Sequence, residues 1–220
     1  TNSKLLKELS EKAPGTFHHS LNVANLAEAA ANEIGANAML VRVGALYHDI
    51  GKMLNPTYFT ENQSTGINPH DELSPKESAQ IIINHVIDGI ELAKKNNLPD
   101  RVIDFIRTHH GSSMVYYFYN KQVESNLAFE TSDFSYGGPK PFNKETAILM
   151  MCDSVEAASK SLKDPNSTKI NNFVDAIVSK QMDTEQFLNA TITLKEIQSI
   201  KKVLKHKLAN MYHLRIEYPE

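Results

Sequence analysis

Apolar residues recur at helical spacing along nearly the whole chain, and no stretch of any length shows the strict alternation of a half-buried strand. Residues 16–34 give the clearest example, because their apolar positions form a one-sided helical stripe. Gly35 follows in the usual position of a helix C-cap. These patterns predict an all-α fold, with a helix bundle as the default architecture.

Proline, glycine and capping residues divide this pattern into separate helices. Pro14-Gly15 is predicted to stop the first helix, and residues 55–71 and 131–142 are predicted to be loops. Capping boxes, Ser74 with Glu77 and Thr193 with Glu196, open two later helices. The predicted helices cover residues 4–12, 16–34, 37–49, 75–96, 100–110, 144–162, 168–182 and 194–213, and residues 112–125 are compatible with another.

Composition limits the class of protein to which the chain can belong. A length of 220 residues suits one domain of generous size or two small ones, and 41% hydrophobic content is enough for a sizeable core. The formal net charge of -3 gives no basic surface, so we expect no nucleic acid polymer as a partner. A single cysteine, Cys152, excludes an intramolecular disulfide and favours a reducing compartment.

The sequence contains no visible secretory signal and no apolar run long enough to span a membrane. The chain begins at Thr1 without a methionine. We therefore expect a piece of a longer protein, whose missing part could carry a membrane anchor.

Histidine and aspartate residues interrupt or end the apolar helices. His48-Asp49 ends the third predicted helix, His85 and Asp153 lie within apolar stretches, and His109-His110 ends another helix. A buried carboxylate is costly unless it is paired or bound to a cation. Taken alone, each position has an ordinary interpretation: a core histidine, a salt bridge to lysine, or a cation at a helix C-terminus.

Together with the His18-His19 pair, these positions offer five histidines and two aspartates, which is a ligand set for two metal ions. Imidazole and carboxylate without thiolate favour Fe, Mn, Zn or Co over Mg or Ca. Cys152, beside Asp153, is better interpreted as a small buried hydrophobic residue than as a nucleophile.

These residues resemble the HD superfamily of metal-dependent phosphohydrolases, through "HDIGK" and a preceding "HS". The longer segments "NPHDELSPKESAQIIINHVIDGIELAKKNNLP", "FIRTHHG" and "FSYGGPKPFNKETAILMMCDSVEAASKSL" are similar to the cytosolic domain of seven-transmembrane HD receptors, which are bacterial, membrane-bound cyclic di-AMP phosphodiesterases. The similarity runs from about residue 4 to the closing "RIEYP". It implies that residues 1–220 are a single HD domain, a helix bundle with a dinuclear metal site.

The resemblance also implies the ligands of two divalent transition-metal ions, with Fe or Mn expected. The first ion would be held by His19, His48, Asp49 and Asp153, and the second by Asp49, His85, His109 and His110. The family motif places the ligand immediately before serine, which selects His19 over His18. Such a metal pair would supply hydroxide for in-line attack on phosphorus, converting cyclic di-AMP to linear pApA.

Five residues are candidates for contact with the substrate. The resemblance implies that Lys52 contacts a phosphate, and Tyr136 could stack on adenine. Gly137 and Gly138 could let the backbone approach the ligand, and Lys144 could bind it. The ordinary alternatives are solvated lysines and a simple turn.

His70-Asp71 is a second His-Asp pair, in a predicted loop. We expect it to shape the entrance or dock a phosphate, not to ligate metal. The aromatic residues 116–119 are expected to pack within the chain or against a partner helix, and a homodimer stays open.

Other functions are compatible with parts of this pattern. An HD domain could act on cyclic di-GMP or another nucleotide, although "HHGSSMVYY" replaces the Gly-Tyr-Pro signature usual in the cyclic di-GMP branch. A non-catalytic nucleotide-binding signalling domain would be expected to have lost ligands. A di-iron oxygen-chemistry bundle would use Glu-x-x-His pairs; none is present, and the glutamates here are expected to lie away from the histidines.

Overall fold

The computed structural model describes residues 2–212, and these fold into α-helices joined by loops and short 3-10 turns. The predicted all-α class is confirmed. The α-helices are α1 (Lys4–Lys12), α2 (Pro14–Ile34), α3 (Ala38–Tyr47), α4 (Pro75–Lys95), α5 (Asp100–Thr108), α6 (Tyr116–Glu124), α7 (Lys144–Ser159), α8 (Ser167–Asp183) and α9 (Leu194–Met211).

Helices α2 and α7 form the centre of the bundle. Helix α2 packs against α1, α3, α7 and α9, and α7 also contacts α3, α5 and α8. Residues 146–153 of α7 are all buried, so this helix is enclosed on every side. Asp153 therefore lies in the core because the helix that carries it has no solvent face at that point.

The prediction that Pro14-Gly15 stops the first helix and precedes the second is wrong for the start of α2. Pro14 occupies the first turn of α2, where a missing backbone N–H costs nothing, and Ala13 alone separates the two helices. Gly15 is pressed against the backbone of Glu61, leaving no room for a Cβ. The start of α2 is thus fixed against the loop after α3.

Two helices that carry histidines end earlier than predicted. Helix α3 ends at Tyr47 with His48 as its C-cap, and α5 ends at Thr108 with His109 as its C-cap. The chain leaves each helix at the His-Asp or His-His pair, which turns these side chains toward the interior. The last helix ends at Met211, and His213 lies outside the described residues.

Gly51 brings the segment after Asp49 against α4. A Cβ on Gly51 would collide with the backbone carbonyl of His85, and the backbone nitrogen of Gly89 is also close. Only glycine permits this approach, which holds the 3-10 turn Ile50–Leu54 against the helix that carries His85. The glycine of the "HDIGK" motif therefore sets the distance between Asp49 and His85.

Candidate metal centre

Seven histidine and aspartate side chains, from five helices or their ends, meet at one place in the bundle. They form two groups, each with ligand atoms within 4.8 Å of one another. The first group is His19, His48, Asp49 and Asp153, and the second is Asp49, His85, His109 and His110. The structure thus brings together every residue for which the resemblance implies metal ligation.

The carboxylate of Asp49 faces both groups. Its Oδ2 lies 3.4 Å from Nε2 of His48 and 3.6 Å from Nε2 of His19. Its Oδ1 lies 3.3 Å from Nε2 of His85 and 3.3 Å from Nε2 of His109. Each oxygen lies beside a different pair of imidazoles, as expected for a carboxylate that bridges two cations.

Backbone carbonyls set the orientation of three rings. His48, His85 and His109 each place Nδ1 at 2.5–2.7 Å from the carbonyl oxygen three residues earlier. A carbonyl only accepts, so Nδ1 carries the proton and donates it. When such a ring is neutral, Nε2 presents a lone pair to the centre, which is the form that binds metal. Burial lowers the pKa of His48, but the charge of Asp49 and the hydrogen bond to Asp153 outweigh it and raise the pKa, so without metal the Nε2 of His48 also carries a proton.

His19 is oriented differently. Its Nδ1 contacts the fully buried carboxylate of Glu156, while its Nε2 lies 2.8 Å from Oδ1 of Asp153. Burial lowers the pKa of His19, but the hydrogen bonds to Asp153 and Glu156 outweigh it and raise the pKa to about 10. The neighbouring His18 is exposed and belongs to neither group.

The two aspartates are held as anions. Burial raises the pKa of Asp49, but Lys52 and His48 outweigh burial and hold the pKa well below its usual range. Burial likewise raises the pKa of Asp153, and hydrogen bonds from His19 and His48 hold it well below its usual range. Both carboxylates are therefore available as metal ligands at neutral pH.

The donor set fits divalent metal. Oδ1 of Asp49 is buried and has no hydrogen-bond donor, and Nε2 of His85 lies 3.2 Å from Nε2 of His109. Acceptors that face one another in a buried site are unfavourable unless a cation lies among them. Imidazoles and carboxylates without thiolate suit a transition metal.

His110 differs from the other members of its group in being only partly buried. Burial, followed by the nearby His109 and His85, holds the pKa of His110 well below its usual range, so the ring is neutral. The ring of Tyr136 stacks on it, with centroids 4.3 Å apart and planes 14° apart. One face of Tyr136 is therefore already covered.

Lys52, in the 3-10 turn after α3, lies between the centre and residues 59–61 of the following loop. Its Nζ is 2.9 Å from Oδ2 of Asp49 and 2.8 Å from Oε1 of Glu61, and it lies over the ring of Phe59. Burial lowers the pKa of Lys52, but the charges of Asp49 and Glu61 outweigh it and raise the pKa. The side chain is only 13% exposed.

The two larger cavities beside the centre both have His110 in their lining. One, of about 500 Å³, is lined by His18, His19, Lys52, Glu61, Asp153 and Lys160 among others. The other, of about 320 Å³, is lined by aromatic, apolar and polar side chains that include Tyr116, Tyr136, Ser154 and Lys180. Both open to solvent, so a ligand could reach the centre through either cavity.

Some predicted residues lie elsewhere. Lys144 begins the helix in which Asp153 is nine residues later, roughly 13 Å along the axis, and its Nζ pairs with Glu196 at 2.6 Å. The structure does not bring Lys144 to the centre. Gly137 and Gly138 line a third, smaller cavity of about 250 Å³, whose lining also includes His110 and Tyr136.

His70 stabilises the loop between α3 and α4 and belongs to neither metal group. Its Nε2 lies 2.7 Å from the carbonyl oxygen of Tyr58, and its ring packs on Phe118. Asp71 is exposed. Cys152 is fully buried, and burial raises the pKa of its thiol, as expected for a residue that packs in the core.

Two glutamates that contact residues of the centre were not predicted from the sequence. Glu156 contacts His19, so the prediction that the glutamates lie away from the histidines is wrong for this residue. The spacing could have indicated Glu156, because it follows Asp153 by three residues and so lies on the same face of the helix. Glu61, bonded to Lys52 and to Thr16 Oγ1, lies in a polar loop that gave no such signal.

Within residues 2–212, no helix has the length and apolar character needed to cross a membrane.

Comparison with known proteins agrees with this geometry. The family model of the HD domain matches residues 16–158. Over 219 residues the chain is 49% identical to the cyclic-di-AMP phosphodiesterase PgpH of Listeria monocytogenes and 45% identical to that of Bacillus subtilis, covering 100% of this chain in both cases. The chain spans only 30% and 31% of the length of these relatives.

The crystal structure of the L. monocytogenes PgpH HD domain in complex with cyclic-di-AMP superposes with a TM-score of 0.93 at 49% identity. That match covers 98% of this chain and 100% of the other. The family match, the identity over 219 residues and the shared fold lead to one conclusion: the chain belongs to the HD-domain family.

Proposed function

We propose that this chain is a metal-dependent phosphodiesterase that hydrolyses cyclic di-AMP to linear pApA. The observation that carries the proposal is the Asp49 carboxylate, whose two oxygens face two groups of potential metal ligands. The similarity to two proteins named cyclic-di-AMP phosphodiesterase, and to an HD domain solved with cyclic-di-AMP, supports the substrate.

The proposed cofactors are two divalent transition-metal ions, Fe or Mn. When bound, they would supply hydroxide near neutral pH and neutralise charge on the phosphodiester. His19, His48 and Asp153 would hold one ion, His85, His109 and His110 would hold the other, and Asp49 would be shared. The buried, pre-oriented rings avoid reorganisation when the ions bind.

The residues around the centre would position the substrate. The Lys52 ammonium, 2.9 Å from Asp49, is close enough to the centre to contact a phosphate oxygen. Only the face of Tyr136 opposite His110 could receive a base. The two cavities beside His110 would take the two nucleotide halves of a cyclic dinucleotide. Gly137 and Gly138 would let the backbone approach the ligand. Lys144 is not proposed as a substrate contact, because it pairs with Glu196 away from the centre.

We also propose that residues 1–220 form one HD domain that belongs to the cytosolic part of a bacterial membrane protein. The resemblance to membrane-bound receptors and the greater length of the relatives support this proposal. Membrane attachment would come from a segment outside this chain. A homodimer is a further proposal, which sedimentation analysis of the purified chain would test.

The test of function is a comparison of substrates. The purified chain with Mn²⁺ is incubated separately with cyclic di-AMP, cyclic di-GMP and a nucleoside triphosphate, and products are separated by chromatography. Conversion of cyclic di-AMP to pApA, abolished by Asp49→Ala, supports the proposal. Preferred cleavage of cyclic di-GMP or the triphosphate would reassign the substrate. Metal binding without turnover of any of them would favour a nucleotide-binding signalling domain.

A further inference from the structure

We propose that Glu156 is a positioning residue that makes the metal site of His19 the tighter of the two sites. The inference rests on the proposed metal centre but not on the proposed substrate. Glu156 contacts His19 and is fully buried, in a helix position that sequence motifs do not assign. Its role follows from how the individual rings are supported.

The imidazoles of the second group have only neutral partners that hold their orientation. His85 and His109 donate Nδ1–H to backbone carbonyls of their own helices, and His110 stacks on Tyr136. A carbonyl orients a ring but carries only a partial charge. His48, in the first group, has the same kind of partner.

His19 alone among the five rings meets a carboxylate through Nδ1. An anionic acceptor fixes the Nδ1–H form, aims Nε2 at Asp153 and Asp49, and makes Nε2 a stronger electron-pair donor to metal. Carboxylate partners of this kind typically contribute 10- to 100-fold to metal affinity, about the size of effect expected here.

Glu156 is itself held in place. Its Oε2 contacts His19, while Oε1 accepts from Asn22 at 3.2 Å and from Lys160 at 3.0 Å. Asn22 lies one turn after His19 on α2, so the same helix supplies the ring and a clamp on its partner. Lys160 is 57% exposed, so solvent screens its charge more than that of buried Glu156.

The negative charge around the two sites is also unequal. The first site has Asp153 and the Oδ2 side of Asp49 in contact, with Glu156 behind His19. In the second site Asp49, through Oδ1, is the only carboxylate among the four potential ligands. Lys52 touches Oδ2 of Asp49, but Glu61 contacts the same ammonium and offsets it. A divalent cation is therefore favoured at the His19 site first.

Mn²⁺ titration of the metal-free chain tests this inference without substrate. Bound Mn²⁺ is followed by the loss of its free-ion paramagnetic resonance signal, and the sites are assigned with His110→Ala, which removes a ligand of the second site. We expect two steps in the wild type. Glu156→Gln, which keeps the shape, should weaken the tighter step about 10- to 100-fold and leave the weaker step within about twofold.

The matched control is Glu28→Gln, which makes the same chemical change on α2 at an ion pair with Arg42, remote from the centre. It should leave both steps unchanged. Equal affinities for Glu156→Gln and wild type, or an equal weakening of both steps, would overturn the inference. Wild-type protein that binds no Mn²⁺ would overturn the metal centre itself, and the inference with it.

A second measurement needs no variant. In the Zn²⁺-loaded wild type, proton–nitrogen correlation spectra of the imidazoles report which nitrogen carries the proton. We expect His19 to hold its proton on Nδ1, with the downfield shift of a proton shared with a carboxylate. A proton on Nε2 of His19, or an Nδ1 proton like that of His48, would contradict the assigned role.

Discussion

The ammonium of Lys52 lies 2.9 Å from Oδ2 of Asp49, the residue shared by both groups of potential metal ligands. The two residues are three positions apart, so the turn after α3 alone brings them together. The contact places a fixed, nearly buried cation at the edge of the proposed centre. It allows Lys52 either to hold Asp49 in orientation or to meet a phosphate.

Replacing Lys52 separates these two roles. For Lys52→Met we expect kcat for cyclic di-AMP to fall about 10²- to 10³-fold, the usual cost of removing a group that stabilises transition-state charge. Metal content, measured by elemental analysis, should stay at the wild-type value. Lys76→Met, at an exposed lysine paired with Asp133, is the control and should change neither quantity. Unchanged kcat in Lys52→Met would exclude a phosphate contact.

Gly51→Ala should destabilise the protein. The new Cβ would collide with the His85 carbonyl, so the 3-10 turn and α4 must move apart. We expect the free energy of unfolding to fall by about 1–3 kcal/mol, as for overpacked cores, measured by denaturant titration. Gly137→Ala is the control, because its Cβ meets no heavy atom within 4 Å. Equal stability of both variants would contradict the close approach.

The raised pKa of His19 predicts a pH-dependent contribution to the stability of the metal-free protein. The folded value, about 10, lies above the unfolded value near 6.5, so the contribution is complete below pH 6.5 and lost as pH rises toward 10. The difference in unfolding free energy between wild type and His19→Gln should therefore shrink over that range. This difference also removes the opposite effect of His110, whose pKa is lowered. A constant difference would show that His19 does not titrate this way.

Metal should stabilise the fold, because the ligands come from five helices or their ends. Free Mn²⁺ at 100 times its dissociation constant should add about 2.7 kcal/mol per independent site and raise Tm. A chelator should reverse the rise, and Asp49→Ala should show little of it. A Tm that does not respond to Mn²⁺ in the wild type would argue against a metal that links these helices.

Local signals predicted the fold well because they depend on neighbours in the sequence. Ser74 with Glu77 and Thr193 with Glu196 form capping boxes in the structure as predicted. The start of α2 was predicted wrongly because proline both ends one helix and suits the first turn of the next, and Pro14 does the second. Periodicity could not distinguish these roles when a single residue, Ala13, separates the helices.

The site was predictable only where a motif marked it. The seven ligand candidates carry a recognisable order, and the structure groups them as the resemblance implies. Glu156 contacts a histidine 137 positions away, so no local pattern names its partner. Lys144 shows the converse: it lies on the same helix as Asp153, yet two and a half turns separate them. Contacts between distant segments decide such cases.

The position of bound metal is the most direct test of a dinuclear centre at Asp49. Crystals grown with Mn²⁺ give anomalous scattering peaks that locate each ion without assumptions about activity. We expect two peaks on either side of the Asp49 carboxylate, one among His19, His48 and Asp153 and the other among His85, His109 and His110. A single peak, or peaks away from Asp49, would contradict a dinuclear centre built on this residue.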